Sequence, residues 1–157
     1  METATIIGTR ELEPIQSVKS ESGQLEVNVI FTDPVATAVA LETATTLALD
    51  LNACVRLRAA IVVPFRLPLD CPQVSISFIE GVLSDLVRNL RANNIDLTVH
   101  LYLSRDRTQT FLEILRPPSL VVISGRKRLW ASGESRLAKR LQSEGHRVLF
   151  LPFKGEE

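Results

Sequence analysis

Apolar residues in this chain form five short runs, and the segments between the runs carry apolar positions at helical spacing. The runs are rich in β-branched and aromatic residues, which is typical of strands buried in a sheet. The predicted strands are 27–32, Cys54–Val63, Ile95–Leu103, Leu120–Ser124 and Val148–Leu151. The third run alternates Leu and Val with polar residues, so we expect one of its faces to be less buried.

The intervening segments predict four helices. Asp33 suits the N-cap of the first helix and Pro34 its first turn, and Gly145 suits the position just after the last helix. The predicted helices are Val35–Leu51, Val74–Asn93, Thr108–Leu115 and a helix that begins at Ser132 or Gly133. Strict alternation of strands and helices predicts a parallel sheet covered on both faces, which is a doubly wound, three-layer α/β sandwich.

The chain divides into an N-terminal extension and one domain. Residues 1–24 show no sustained period of 2 or 3.6 and predict a flexible extension, although 4–7 could add an edge strand. Residues 25–157 predict the α/β domain, and a chain of 157 residues needs no disulfide or metal to stabilise its core. The opening residues lack a secretory signal, and no apolar run is long enough to span a membrane. We therefore expect a cytoplasmic protein.

The composition excludes several kinds of site. Two cysteines and two histidines are too few for a disulfide framework or a Cys- or His-rich metal centre. No His or other base is placed beside either cysteine, so the sequence predicts no catalytic residues and no metal site. The 18 basic and 18 acidic residues balance, yet seven basic side chains lie within 122–147 against only Glu134 and Glu144. That stretch is either a solvated surface or a region that attracts phosphate.

Ligands of open α/β sheets bind beyond the carboxyl ends of the strands, where strand order reverses. If the first and fourth predicted strands are adjacent, Asp33 faces the basic loop that begins at Gly125 and Arg126. The first turn of the last helix, with Gly133 and Ser135, then lies nearby with free N–H groups suited to an anion.

These features resemble the universal stress protein family over about residues 25–151. The resemblance rests on 27–33 leading into an Ala-rich helix, on 120–125 followed by a basic loop, and on the final strand 148–151. It implies a five-stranded parallel sheet of order 3-2-1-4-5 and homodimerisation. It also implies an adenine-nucleotide site, in which an Asp after the first strand contacts the nucleoside and the motif Gly-x2-Gly-x9-Gly-Ser/Thr cradles the phosphates.

The motif is only partly present here. Asp33 fits the first-strand Asp and Gly125 the first glycine, but Arg128 stands at the second glycine position. Gly133 takes the third position only if five residues are deleted, and Glu134 then replaces the expected Ser or Thr. The resemblance therefore implies candidate nucleotide-binding residues, and the departures predict weak or absent ATP binding. The candidates are Asp33, Gly125, Arg126, Arg128, Gly133 and Ser135.

Three functions remain open on the sequence. The first is a non-enzymatic stress-response or regulatory module that dimerises through its fifth strand and senses a partner or ligand. The second is an ATP-binding universal stress protein with weak or no hydrolysis. The third is a receiver-like phospho-acceptor domain using Asp33, Asp106 and Lys154, which the lack of a carboxylate cluster disfavours. Nucleic-acid binding is disfavoured because aromatic residues are few.

Overall fold

A computed structural model describes residues 10–12, 25–90, 95–126 and 133–153 of the chain. The strands are β1 (Arg10–Leu12), β2 (Glu26–Ile30), β3 (Cys54–Val62), β4 (Leu97–Ser104), β5 (Leu120–Arg126) and β6 (Arg147–Phe153). The helices are α1 (Pro34–Leu51), α2 (Ile76–Asn89), α3 (Arg107–Ile114) and α4 (Gly133–Ser143).

The sheet has the order β1-β4-β3-β2-β5-β6. Strands β2 to β6 are the five predicted strands, all parallel, and their order confirms the expected 3-2-1-4-5 arrangement. The short strand β1 pairs antiparallel with β4 at one edge of the sheet. No sequence pattern predicted β1, which lies within the extension 1–24, whereas residues 4–7 lie outside the described residues.

Helices cover the two faces of the sheet in pairs. Helices α1 and α2 pack on the face that carries Val27, Val29 and Leu57. Helices α3 and α4 pack on the opposite face, around Ile30 and Phe111. Right-handed crossovers require this arrangement, because the first two crossovers run toward one edge of the sheet and the last two toward the other.

Local signals at the helix ends agree with the structure. The Asp33 side chain accepts a hydrogen bond from the Ala36 backbone N at 2.9 Å, which is the predicted N-cap. After α4, Gly145 adopts φ +94°, and the backbone N of His146 donates to Leu141 O at 3.1 Å. This bond and the positive φ of Gly145 are features of a Schellman motif, whose left-handed residue is the predicted glycine.

The expectation of a less buried face on β4 is wrong. Side chains on its polar face are shielded from solvent, with His100 7% and Tyr102 5% exposed. The reason is that the two arginines of β3, Arg56 and Arg58, hydrogen-bond to Thr98, His100 and Tyr102, so that burial leaves these groups paired rather than stripped of water.

Candidate functional site

The carboxyl edge of the sheet brings Asp33 close to Gly125, as the sequence predicted. Strands β2 and β5 are direct neighbours, with Ile30 opposite Ile123. Just beyond them, the Thr32 hydroxyl donates to the Ser124 carbonyl O at 2.8 Å. The end of β2 is thereby tied to the end of β5, and the two motif positions that the resemblance implies lie on adjacent strand ends.

Gly125 lies in close contact with the first turn of α4. A Cβ added to this buried glycine would lie 2.8 Å from Glu134 Cβ and 3.3 Å from Phe150 Cε2. The side chain of Glu134 therefore packs directly against the Gly125 backbone. If Gly133 takes the third glycine position of the motif, Glu134 is the residue for which the resemblance implies a hydroxyl.

Glu134 also has a charge interaction with a half-buried arginine that sequence reasoning did not pair with it. Arg107 is the first residue of α3, and burial lowers the pKa of its guanidinium while the negative charge of Glu134 partly offsets that effect. The third crossover carries α3 back across the sheet and brings these charges together. Because their separation in the sequence is 27 residues, no local pattern could reveal the contact.

The remaining predicted site residues surround the same edge or lie outside the described structure. Gly133 is exposed at the start of α4, and Ser135 is half-buried in its first turn. Arg126 ends β5, pairing with Phe153 of β6. Arg128 lies outside the described residues. The structure thus places Asp33, Gly125, Gly133 and Ser135 around one edge of the sheet.

Polar groups at the end of β4 are engaged in internal hydrogen bonds. The Ser104 hydroxyl accepts from the Asp106 backbone N at 3.0 Å, and Asp106 caps α3 by accepting from the Gln109 backbone N at 3.1 Å. Arg105 donates to the carbonyl oxygens of Pro64 at 2.6 Å and Leu67 at 2.8 Å. These contacts hold the strand end and the following loop in place.

The geometry gives no support to the receiver-like alternative. Asp33 and Asp106 each cap a helix, and Lys154 lies outside the described residues. Across the described parts of the chain, no three His, Cys, Asp or Glu side chains come together in a way that could hold a metal ion. In the same parts of the chain, no helix combines the length and apolar character that a membrane span needs.

Cys54 has the environment of an unreactive thiol. It is 3% exposed at the start of β3, and burial raises the pKa of its thiol, with the positive charge of Arg56 acting in the opposite direction. A thiol that stays protonated near neutral pH is a poor nucleophile.

A second polar region lies on the α3–α4 face of the sheet, and the sequence analysis did not identify it. We call it the polar ladder; it consists of Glu26, Asn28, Arg56, Arg58, Thr98, His100 and Tyr102. Arg58 Nε donates to Asn28 Oδ1 at 2.8 Å, and Arg58 Nη1 donates to the Tyr102 hydroxyl at 2.7 Å. The sequence signal that could have revealed the polar ladder is the presence of polar residues at every second position on three neighbouring strands.

The polar ladder borders a cleft at the amino ends of the strands. This amino-end cleft has a volume of about 750 Å³ and lies at the opposite end of the sheet from Asp33 and Gly125. Its lining residues come from β2, from β3, from the start of β5 and from the loop after α3. They include three arginines, namely Arg58, Arg116 and Arg147.

Comparisons with known proteins give a fold relationship. No protein-family model matches the chain, and no curated protein is similar enough in sequence to match it. A crystal structure of a protein from the universal stress protein family from Burkholderia pseudomallei matches with a TM-score of 0.55 and 20% sequence identity. The match covers 85% of this chain and 100% of that one.

A crystal structure of a universal stress protein in complex with cAMP matches with a TM-score of 0.44 and 13% identity, over 83% of this chain and 98% of that one. That TM-score is too low to support conclusions about this chain. The Burkholderia protein shows that this chain has the fold of a universal stress protein, and at 20% identity it shows the fold alone.

The contact between Gly125 and Glu134 predicts that the stability of the protein depends strongly on the size of the side chain at position 125. Gly125→Ala should lower the free energy of unfolding by about 1–3 kcal/mol, because the added methyl group overpacks a buried contact. Gly133→Ala is the matched control, since an added Cβ there meets nothing within 4 Å, and its effect should stay within about 0.5 kcal/mol. Urea unfolding at equilibrium measures both changes. Equal stability of Gly125→Ala and the unsubstituted protein would show that the contact is absent.

Proposed function

We propose that this protein is a non-enzymatic stress-response or regulatory module that acts as a homodimer and senses a ligand or partner. The shared fold with the Burkholderia universal stress protein supports the class. The observation that carries the non-enzymatic part is the packing of Glu134 against Gly125. In addition, the polar groups of Thr32, Asp33 and Ser104 take part in internal hydrogen bonds.

ATP binding at the carboxyl edge is weak or absent under this proposal. A phosphate chain over Gly125 would meet the Glu134 carboxylate at the start of α4, and like charges at close range repel strongly when solvent is partly excluded. The free N–H groups at that helix end would attract phosphate. Glu134, an acidic residue in the first turn, already interacts favourably with the same partial positive charge. Under this proposal, the charge of Glu134 takes the place of an anionic ligand at this helix end.

The second candidate is an ATP-binding universal stress protein with weak or no hydrolysis. It is favoured by the placement of Asp33 beside Gly125 on adjacent strand ends. The two candidates differ in one measurable quantity, the affinity for Mg-ATP.

Isothermal titration calorimetry with Mg-ATP tests this difference. The unsubstituted protein should show no binding in the micromolar range. Glu134→Ser should raise the affinity about tenfold or more, because it removes a repelling charge and restores the hydroxyl of the motif. Glu144→Ser removes the same charge from the opposite end of α4 and should change little. A micromolar dissociation constant for the unsubstituted protein would favour the second candidate.

The homodimer is proposed to form through β6. This strand is the last in the sheet order, and among the described residues no strand pairs with its outer side. Its Val148 and Phe150 side chains pack toward α4, whereas Leu149 points to the other face and is 37% exposed. An apolar, unpaired edge favours association, and pairing of two copies about a two-fold axis closes it.

The alternative is that residues 4–7 fold back over the β6 edge within one chain. Those residues lie outside the described structure, while Arg10–Leu12 pairs with β4 at the opposite edge. The β6 edge therefore stays available to a second copy in the described part of the chain.

Light scattering tests the dimer. The unsubstituted protein should scatter as twice the 17.4 kDa chain mass. Leu149→Lys should weaken the dimer about 100-fold, because the two-fold axis places two charges in one apolar contact. Leu49→Lys is the control, since Leu49 is 57% exposed on α1 and is not part of β6. A particle of 17.4 kDa at micromolar concentration would exclude the dimer.

A further inference from the structure

The amino-end cleft contains a buried guanidinium whose hydrogen-bonding capacity is only partly used. The Arg58 side chain is 12% exposed and lines the cleft. Its Nε and Nη1 atoms donate to Asn28 and Tyr102, but Nη2 is 4.0 Å from Glu26 Oε2, beyond hydrogen-bond distance. Because a guanidinium has five N–H donors, Arg58 retains donors for a further acceptor.

Glu26 meets this need only in part, because its one carboxylate is shared between Arg56 and Arg58. Glu26 Oε1 lies 2.7 Å from Arg56 Nε. Burial would lower the pKa of Arg56, but the contact with Glu26 more than offsets it and the pKa is raised. One carboxylate thus faces two guanidinium groups, which leaves Arg56, Arg58 and Glu26 together with a net positive charge.

The charge around the cleft favours an anion. Arg58, Arg116 and Arg147 contribute three positive charges to the lining, and Glu26 contributes one negative charge. The C-terminal ends of α1 and α3 also point toward this end of the sheet, each with about half a negative charge. The three guanidinium groups exceed the sum of these negative charges.

Much of the remaining lining is apolar and partly exposed. Leu25 is 62% and Leu51 46% exposed at the cleft, and the half-buried Ile114 and Leu120 add further apolar surface. The volume of about 750 Å³ falls within the range of about 300–1,000 Å³ usual for small-molecule sites. An apolar lining with a few convergent charged groups is the usual composition of such a site.

We propose that the amino-end cleft binds a small organic anion, with a carboxylate or phosphate group on Arg58 and an apolar body against Leu25, Leu51 and Leu120. The planar fork of arginine matches either oxyanion in a bidentate geometry. Arg116 and Arg147 are exposed and add electrostatic attraction at the cleft opening. This site is separate from the carboxyl edge, so it goes beyond the proposed function and does not depend on ATP binding.

The test uses octanoate, octyl phosphate and 1-octanol, which share one apolar chain and differ in the head group. Calorimetry on the full chain should give a dissociation constant on the order of 1 mM or lower for at least one anion. The stronger of the two anions identifies the preferred oxyanion. 1-Octanol should bind at least tenfold more weakly, because it lacks the charge that Arg58 recognises.

Arginine variants distinguish anion binding at this cleft from non-specific binding of the apolar chain. Arg58→Gln should weaken anion binding about tenfold or more. Arg116→Gln, at an exposed position, should weaken it about threefold and serves if Arg58→Gln does not fold. Arg88→Gln is the control, since this α2 side chain is 72% exposed and does not line the cleft. Absence of binding by both anions, equal binding of 1-octanol, or unchanged affinity in Arg116→Gln and any folded Arg58→Gln would each overturn the proposal.

Discussion

The short length of α3 determines how the two ends of this sheet differ. Eight residues of helix extend about 12 Å, whereas β3 and β4, with nine and eight residues, extend about 26–30 Å. Helix α3 begins at the carboxyl edge and is anchored by Phe111, which is fully buried. It therefore ends before the amino edge, where the polar ladder lies on this face and where Glu26, Asn28 and Arg58 of the ladder line the amino-end cleft.

The carboxyl edge has the opposite character. Thr32 bonds across to β5, Asp33 and Asp106 cap helices, and Glu134 packs on Gly125. The interactions that organise this edge also use the groups that a nucleotide would need. Open α/β sheets commonly bind ligands at the carboxyl edge, whereas we propose that this chain binds a ligand in the arginine-lined cleft at the other end.

The sequence predicted the parts of the fold that depend on local chemistry. Strand order followed from the family resemblance, and the N-cap at Asp33 and the glycine at Gly145 follow from backbone requirements within a few residues. The burial of the polar face was missed, because it depends on Arg58 meeting Asn28 and Tyr102, which are 30 and 44 residues away. Strand β1 was missed because three residues are too few to show a period.

Part of the candidate site was also predicted from the sequence. Its residues at the strand ends were identified because parallel strands bring their carboxyl ends together. The contact of Glu134 with Gly125 and its charge interaction with Arg107 arise from the packing of helices on the sheet, which sequence spacing does not encode.

The central claim is that the amino-end cleft binds a small organic anion and that the carboxyl edge binds ATP weakly or not at all. Backbone amide chemical shifts, followed by NMR during titration with octyl phosphate and then with Mg-ATP, test it most directly. We predict saturable shifts at residues 25–28 and 114–120 with octyl phosphate, and no saturable shifts at residues 32–33, 124–125 and 133–135 with Mg-ATP. Saturable shifts at the carboxyl edge with Mg-ATP, together with no response of the amino end to octyl phosphate, would contradict it.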